Sequence, residues 1–226
     1  MRFAAIIFDF DGVLLESEYE GNRELAALLS RLGHPHSAED TLRHYVGLAG
    51  RDFVAAIEAR IGVELPQEFH DHMKQMSAKA LRDGIQAVAG AVEFVRLLPA
   101  DLPKAVASSS STRWVRGHLE HIGLSDAFGD HIYSGREHVE RGKPAPDLYL
   151  HAAEQLDTPI ADCLIIEDSR VGATGALASG ATVIGLAAGA HCLDGHAEML
   201  RGLGVSEIAN SFEDLARLLE LDQPSR

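Results

Sequence analysis

Four short segments of the 226-residue chain carry side chains able to do polar chemistry: Asp9-Phe10-Asp11-Gly12-Val13, Ser108-Ser109-Ser110-Ser111, Gly142-Lys143-Pro144 and Glu167-Asp168-Ser169. Taken singly, each has a structural explanation. Asp-Gly is a turn signal, Ser111 is well placed to cap a helix from Thr112, Lys143 can be a solvated loop lysine, and Glu167 and Asp168 can complement a helix macrodipole. Their convergence is not explained that way. Acids gathered on one rim repel: two unit charges about 4 Å apart cost roughly 1 kcal/mol in water and roughly 4 at an effective dielectric of 20. A hard cation such as Mg²⁺ removes that cost and commonly combines carboxylates with phosphate oxygens. With no Cys or His among the ligands, zinc is disfavoured. A carboxylate nucleophile, a hydroxyl, a lysine and an acid-bound magnesium together describe phosphoryl transfer.

A parallel sheet is what would bring these segments together. Short apolar runs recur at Phe3–Phe10, Lys104–Ser108, His131–Ser134, Cys163–Glu167, Thr182–Leu186 and Glu207–Asn210. Between the later ones lie stretches of helical period: Ala91–Leu98, Ser111–His121, Pro146–Leu156, Val171–Ser179, Asp194–Leu203 and Phe212–Leu219. Buried strands alternating with amphipathic helices predict an α/β, doubly wound parallel sheet. Ligands bind beyond the carboxyl ends of such strands, where the acids, the serines and Lys143 fall. The alternation breaks once. Ser17–Leu32, Ala38–Tyr45, Asp52–Ile61 and Pro66–Arg82 read as helices with no strand among them. Residues 16–82 are therefore expected to form an inserted helical cap, leaving 1–15 and 83–226 for a Rossmann-like core.

Composition narrows the classes. Acids outnumber bases 34 to 20, for a formal net charge of −14. Such a chain repels nucleic acid and anionic membrane surfaces, so an anionic substrate needs cations placed locally. The apolar stretch Phe3–Phe8 is too short to span a bilayer. It has no basic flank or cleavage site, so a cytoplasmic location is expected. Two cysteines, Cys163 and Cys192, make no disulfide framework or zinc motif, and Cys163 reads as a buried reduced thiol.

In their order and spacing, Asp9-x-Asp11-Gly-Val, Ser108, Gly142-Lys143-Pro144 and Glu167-Asp168 resemble the four motifs of the haloacid dehalogenase superfamily. The stretches Phe8–Glu18, Gly142–Asp147 and Ile166–Gly172 are similar to its phosphatase and β-phosphoglucomutase branch. The resemblance runs from Phe3 to about Gly189 and implies a Rossmann-like core with an α-helical cap. It also implies residue roles. Asp9 is the nucleophile that forms an aspartyl-phosphate. Asp11 protonates the leaving alkoxide and then activates water. Ser108 and Lys143 grip the phosphoryl oxygens, with the Ser109 amide assisting. Mg²⁺ is held by the Asp9 carboxylate, the Asp11 carbonyl and Asp168, with Glu167 contributing directly or through water.

Asp11 separates this chain from members of the superfamily that lack the second Asp, the dehalogenases and the phosphonatases. The stretch Val46–Arg51 resembles a mutase's cap loop but has no lysine at the matching place, and the mutase histidine after the first motif is absent. Both departures favour a phosphatase over the alternative, a β-phosphoglucomutase-like phosphosugar mutase. A receiver-like phosphoacceptor is a remoter alternative, because its acceptor Asp follows a middle strand. The expected substrate is a small phosphorylated metabolite, a sugar or sugar-acid phosphate, of the kind taken by 6-phosphogluconate phosphatases. Arg51 is a candidate substrate contact from the cap, and Asn22 and Arg113 are lesser ones. His191 is expected at the surface. The chain is expected to be a monomer or weak dimer with no nucleic-acid or membrane partner.

Overall fold

The structure, a computed structural model, describes residues 3–221. Six strands form one parallel sheet: β1 (Ala5–Phe8), β2 (Lys104–Ser108), β3 (Ile132–Ser134), β4 (Cys163–Glu167), β5 (Thr182–Leu186) and β6 (Glu207–Ala209). Their spatial order is β3-β2-β1-β4-β5-β6. The order reverses at β1, whose register sets Phe8 beside Val106 on one side and Ile166 on the other. That reversal is the crevice where doubly wound sheets bind ligands.

The strands read as continuous apolar runs because both faces are covered. Ile6, Phe8, Val106, Leu164, Ile166 and Ile184 point into one apolar cluster with Phe94, Val115 and Phe212. Alternate residues Ala5, Ile7, Ala105, Ala107 and Ile165 point into a second cluster with Leu148, Ala173 and Leu200. Helices α5 (Ala91–Leu97), α6 (Thr112–His121), α7 (Ser125–Phe128) and α11 (Phe212–Leu218) belong to the first layer. Helices α8 (Asp147–Gln155), α9 (Arg170–Ser179) and α10 (His196–Gly202) belong to the second. Phe8 meets Phe94 and Phe128 edge-on at centroid distances of 6.2 and 5.7 Å, which anchors β1 just before Asp9.

Between β1 and β2 lie α1 (Glu18–Arg31), α2 (Ala38–Tyr45), α3 (Gly50–Ile61) and α4 (Gln67–Asp83). They share an apolar cluster of their own, built on Leu25, Leu28, Leu29, Tyr45, Ile57 and Phe69. The chain enters and leaves this layer along adjacent paths. Glu16 N–H donates to Gln86 O at 2.9 Å and Val88 N–H to Leu14 O at 3.1 Å, and Leu15 bridges Ala87 antiparallel. Among the described residues, no helix is long and apolar enough to cross a membrane.

Candidate active site

Each strand at the crevice ends in a side chain aimed at one place. Asp9 follows β1, where its own N–H donates to Ile166 O at 3.0 Å and ties the two strand ends together. Lys143 reaches it from the loop before α8. The Lys143 Nζ donates to Asp9 Oδ1 and, at 2.7 Å, to Glu167 Oε1. All three side chains are buried, Lys143 to 8% exposure and Glu167 to 0%. Burial alone would lower the Lys143 ammonium, but Asp9 and Glu167 outweigh it and hold it above its ordinary value.

Glu167 is saturated. Its Oε1 also accepts from Tyr149 Oη at 2.7 Å, and its Oε2 accepts from the N–H groups of Asp168 and Ser169, both at 3.0 Å, and from Ser169 Oγ at 3.1 Å. Ser169 in turn caps α9, accepting from Gly172 N–H at 3.0 Å. Gly172 has no side chain because the Glu167 carboxylate occupies that space, and a Cβ there would collide with it.

Asp168 is the opposite case. It is fully buried, yet neither carboxylate oxygen meets a donor in hydrogen-bond geometry. His191 Nε2 comes within 2.7 Å of Oδ2, a close approach that lacks hydrogen-bond alignment. Burial pushes Asp168 well above the usual carboxylate range, with Glu167 adding to the rise. Burial does the same to Asp9, opposed by Lys143 and reinforced by Glu167 and Asp168. Carboxylate oxygens of Asp9, Glu167 and Asp168 lie within 4.8 Å of one another. Three buried acids against one lysine, one of them without an aligned donor, form an all-oxygen donor set suited to a hard divalent cation.

Asp11 accepts from four donors. Ser17 Oγ (2.7 Å) and Trp114 Nε1 (2.9 Å) reach Oδ1, while Ser110 Oγ (2.7 Å) and Ser108 Oγ (3.4 Å) reach Oδ2. Local structure explains this delivery. Ser111 caps α6 as expected, accepting from Trp114 N–H at 3.3 Å, and so places the indole in the first helical turn facing Asp11. Ser110 N–H donates to Ser108 Oγ at 2.9 Å and fixes the hydroxyl at the end of β2.

These residues open onto a cavity of about 1070 Å³ between the sheet's rim and helices α1 to α4. Asp9, Asp11, Ser108, Ser109 and Lys143 all line it, and so do Asn22 and Arg113. Arg51 does not. It sits exposed in the first turn of α3, turned away from the cavity wall that Gly50 and Phe53 supply. The guanidinium in the wall near that turn belongs instead to Arg136, which lies so close to Gly50 that a Cβ there would come within 2.9 Å of Nη2. His191, expected at the surface, is 3% exposed. Glu18, also lining the cavity, accepts from Asn22 Nδ2 at 3.0 Å, and burial beside Asp11 raises its carboxyl to about 8. Sequence reasoning missed the parts played by Ser17, Ser110, Trp114, Tyr149 and Arg136.

Fold and site together define an α/β protein with a cluster of buried acids at the switch point of a parallel sheet. A family model for haloacid dehalogenase-like hydrolases matches residues 3–180. Hexitol phosphatase A of Escherichia coli is 30% identical over 195 residues, covering 81% of this chain and 83% of that protein. The 6-phosphogluconate phosphatase of E. coli is 25% identical over 221 residues, covering 97% and 95%. Among solved structures, a haloacid dehalogenase-like protein of Agrobacterium tumefaciens superposes with a TM-score of 0.85 at 29% identity, covering 96% of this chain and 98% of its own. A family hydrolase of Deinococcus radiodurans, solved with phosphate and sodium bound, is 33% identical with a TM-score of 0.78, covering 99% of each chain. The chain belongs to the haloacid dehalogenase-like hydrolases. It is an enzyme, of the phosphatase kind that these relatives represent.

Proposed function

We propose that the protein is a Mg²⁺-dependent phosphatase that hydrolyses a small sugar or sugar-acid phosphate through an aspartyl-phosphate at Asp9. The observation that carries this reading is the arrangement at the rim. Lys143, itself held by Glu167, donates to Asp9, buried Asp168 lacks an aligned donor, and Asp11 is gripped beside them by Ser17, Ser108, Ser110 and Trp114. Both named E. coli phosphatases act on phosphorylated sugar derivatives, which supports the substrate class.

Asp9 and Asp168 would hold the cation with the Asp11 carbonyl, while Glu167, whose oxygens are taken, would fix Lys143 and the Asp168 backbone beside it. When bound, the cation neutralises the acids and withdraws charge from the phosphoryl oxygens. The chain's own residues do the rest. Lys143 orients the Asp9 carboxylate and pairs with the entering phosphate, and Ser108 donates to a phosphoryl oxygen. Asp9 attacks phosphorus as the ester oxygen leaves. Asp11 supplies that oxygen's proton and later takes one from the water that attacks phosphorus, as the bond from phosphorus to the Asp9 oxygen breaks and phosphate leaves. Its Oδ2 is suited to carry the proton, because the Ser108 and Ser110 hydroxyls facing it can accept as well as donate. Trp114 Nε1 can only donate, which keeps Oδ1 an acceptor. Helices α1 to α4 act as a cap that encloses the leaving group.

The test is phosphate release from a panel of sugar phosphates and an aryl phosphate, with Mg²⁺ and with chelator, alongside Asp9→Asn. Metal-dependent release that disappears in the variant supports the reading. An isomeric monophosphate formed in place of free phosphate would replace it with the mutase alternative.

A further inference from the structure

The geometry points to His191 and His196 as a two-histidine clamp on Asp168, with His191 a positioning residue that sets this carboxylate for cation binding. The inference rests on the reading of Asp168 as a metal ligand. His191 lies in the connection between β5 and α10 and His196 opens α10, spaced His-x4-His. His196 Nε2 donates to the Asp168 carbonyl at 2.7 Å. His191 Nε2 stands 2.7 Å from Asp168 Oδ2, and the two side chains are 1% and 0% exposed. One residue is thus held at its backbone and approached at its side chain by rings packed edge to face, 5.5 Å apart.

The backbone makes room for this contact. A Cβ at Gly12 would collide with Asp168 Oδ2 and come within 2.9 Å of His191 Cε1; one at Gly189 would come within 2.6 Å of the same ring. The connection is also tied down, since Ala190 N–H donates to the Glu16 carboxylate at 3.1 Å and Cys192 N–H to Gly189 O at 2.9 Å. His191, Cys192 and His196 lie close enough together to hold a soft ion of their own. His196 Nε2 is taken by the Asp168 carbonyl, and His191 Nε2, though also 3.4 Å from Cys192 Sγ, lies nearer Asp168 Oδ2, which favours a clamp over a second metal site. With Oδ2 guarded by His191, Oδ1 is the oxygen left open to a cation. Partners of this kind orient ligating carboxylates and alter metal affinity about 10- to 100-fold when removed.

The test is Mg²⁺ titration of the full chain by calorimetry, with thermal melts of the same variants in chelator. His191→Leu, which has no donor, should weaken Mg²⁺ binding about tenfold or more, while its melting temperature in chelator stays close to that of the parent. His191→Gln, which restores an N–H near the same place, should recover most of that affinity. His191→Asn, polar but too short to reach Asp168, serves if the leucine variant does not fold and should weaken binding similarly. Unchanged Mg²⁺ affinity in a folded Leu or Asn variant overturns the clamp, as does equal loss in the Gln and Leu variants. Asp168→Asn separates the two readings. Mg²⁺ binding that survives it removes Asp168 as a ligand, whereas loss there with retention in the His191 variants overturns the clamp alone.

Discussion

Trp114 Nε1 donates to Asp11 Oδ1 at 2.9 Å across 103 positions of sequence. The bond links the first turn of α6 to the segment after β1 and fixes which Asp11 oxygen faces the serines. Trp114→Phe keeps the ring and removes the N–H. Turnover of an alkyl phosphate should fall about tenfold, the worth of one hydrogen bond of about 1.4 kcal/mol, with the fold intact. An aryl phosphate, whose leaving group needs no proton, should be affected less. Equal slowing of both esters would mean that Trp114 has no part in proton delivery.

Asp11→Asn should sharpen the same contrast, because an amide cannot pass a proton to the leaving oxygen. Initial rates across esters of rising leaving-group pKa should diverge further from the parent. A flat ratio across the series would remove Asp11 from acid–base work.

Asp9→Asn should abolish phosphate release, since an amide is no nucleophile toward phosphorus. Its circular dichroism spectrum should match the parent's, and acid-quenched protein should carry no labelled phosphate. Turnover retained in this variant would exclude the covalent route.

Gly172→Ala places a methyl where the Glu167 carboxylate lies. Glu167 must shift, and its bonds to Lys143 and Tyr149 weaken. Unfolding by denaturant should show a loss of about 3 kcal/mol, toward the upper range for overpacking a buried site. Gly202→Ala, with nothing within 4 Å, should cost nothing. Equal stability of the two variants would contradict the packing described.

Stability should depend on pH through Glu18. Burial, with Asp11 beside it, raises this carboxyl from 4.5 to about 8, so between those values the folded protein holds a proton that the unfolded chain releases. Stability from this group therefore falls as pH rises through that window. Glu18→Gln, neutral throughout, should melt with the parent near pH 4 and several degrees higher near pH 8.5 in the absence of metal. A gap that closes toward high pH would reverse the assignment.

The sheet was legible because its strands are buried on both faces and read as unbroken apolar runs. Cys163–Glu167 and Thr182–Leu186 match their predicted limits, while Phe3–Phe10 shortens to Ala5–Phe8 because the chain leaves the strand at Asp9, which faces the cavity, and Phe10 turns back into the core. The short α7 and the 3₁₀ turn at Ile160–Asp162 carry too few residues to show a period. The acids, Ser108 and Lys143 were legible from their places at strand ends and in the loop before α8. Trp114, Ser110 and Tyr149 were not, because they belong to the site only through contacts made across the fold. His191 was misread for a related reason. A lone histidine after a strand carries no sign that a glycine at position 12 has cleared space for it. Arg51 failed as a cavity contact through helical phase: its neighbours Gly50 and Phe53 face the cavity and it does not.

The antiparallel bridge between Leu15 and Ala87 gives the helical layer a single insertion point. Joined by a tight turn there, the two paths would make an ordinary β-hairpin between β1 and β2, and the sheet's order would be unchanged. The strand-end rim and the helical walls over it thus come from separate stretches of the chain. The β1–β4 pairing, which sets Phe8 beside Ile166 just ahead of Asp9 and Glu167, does not run through that insertion.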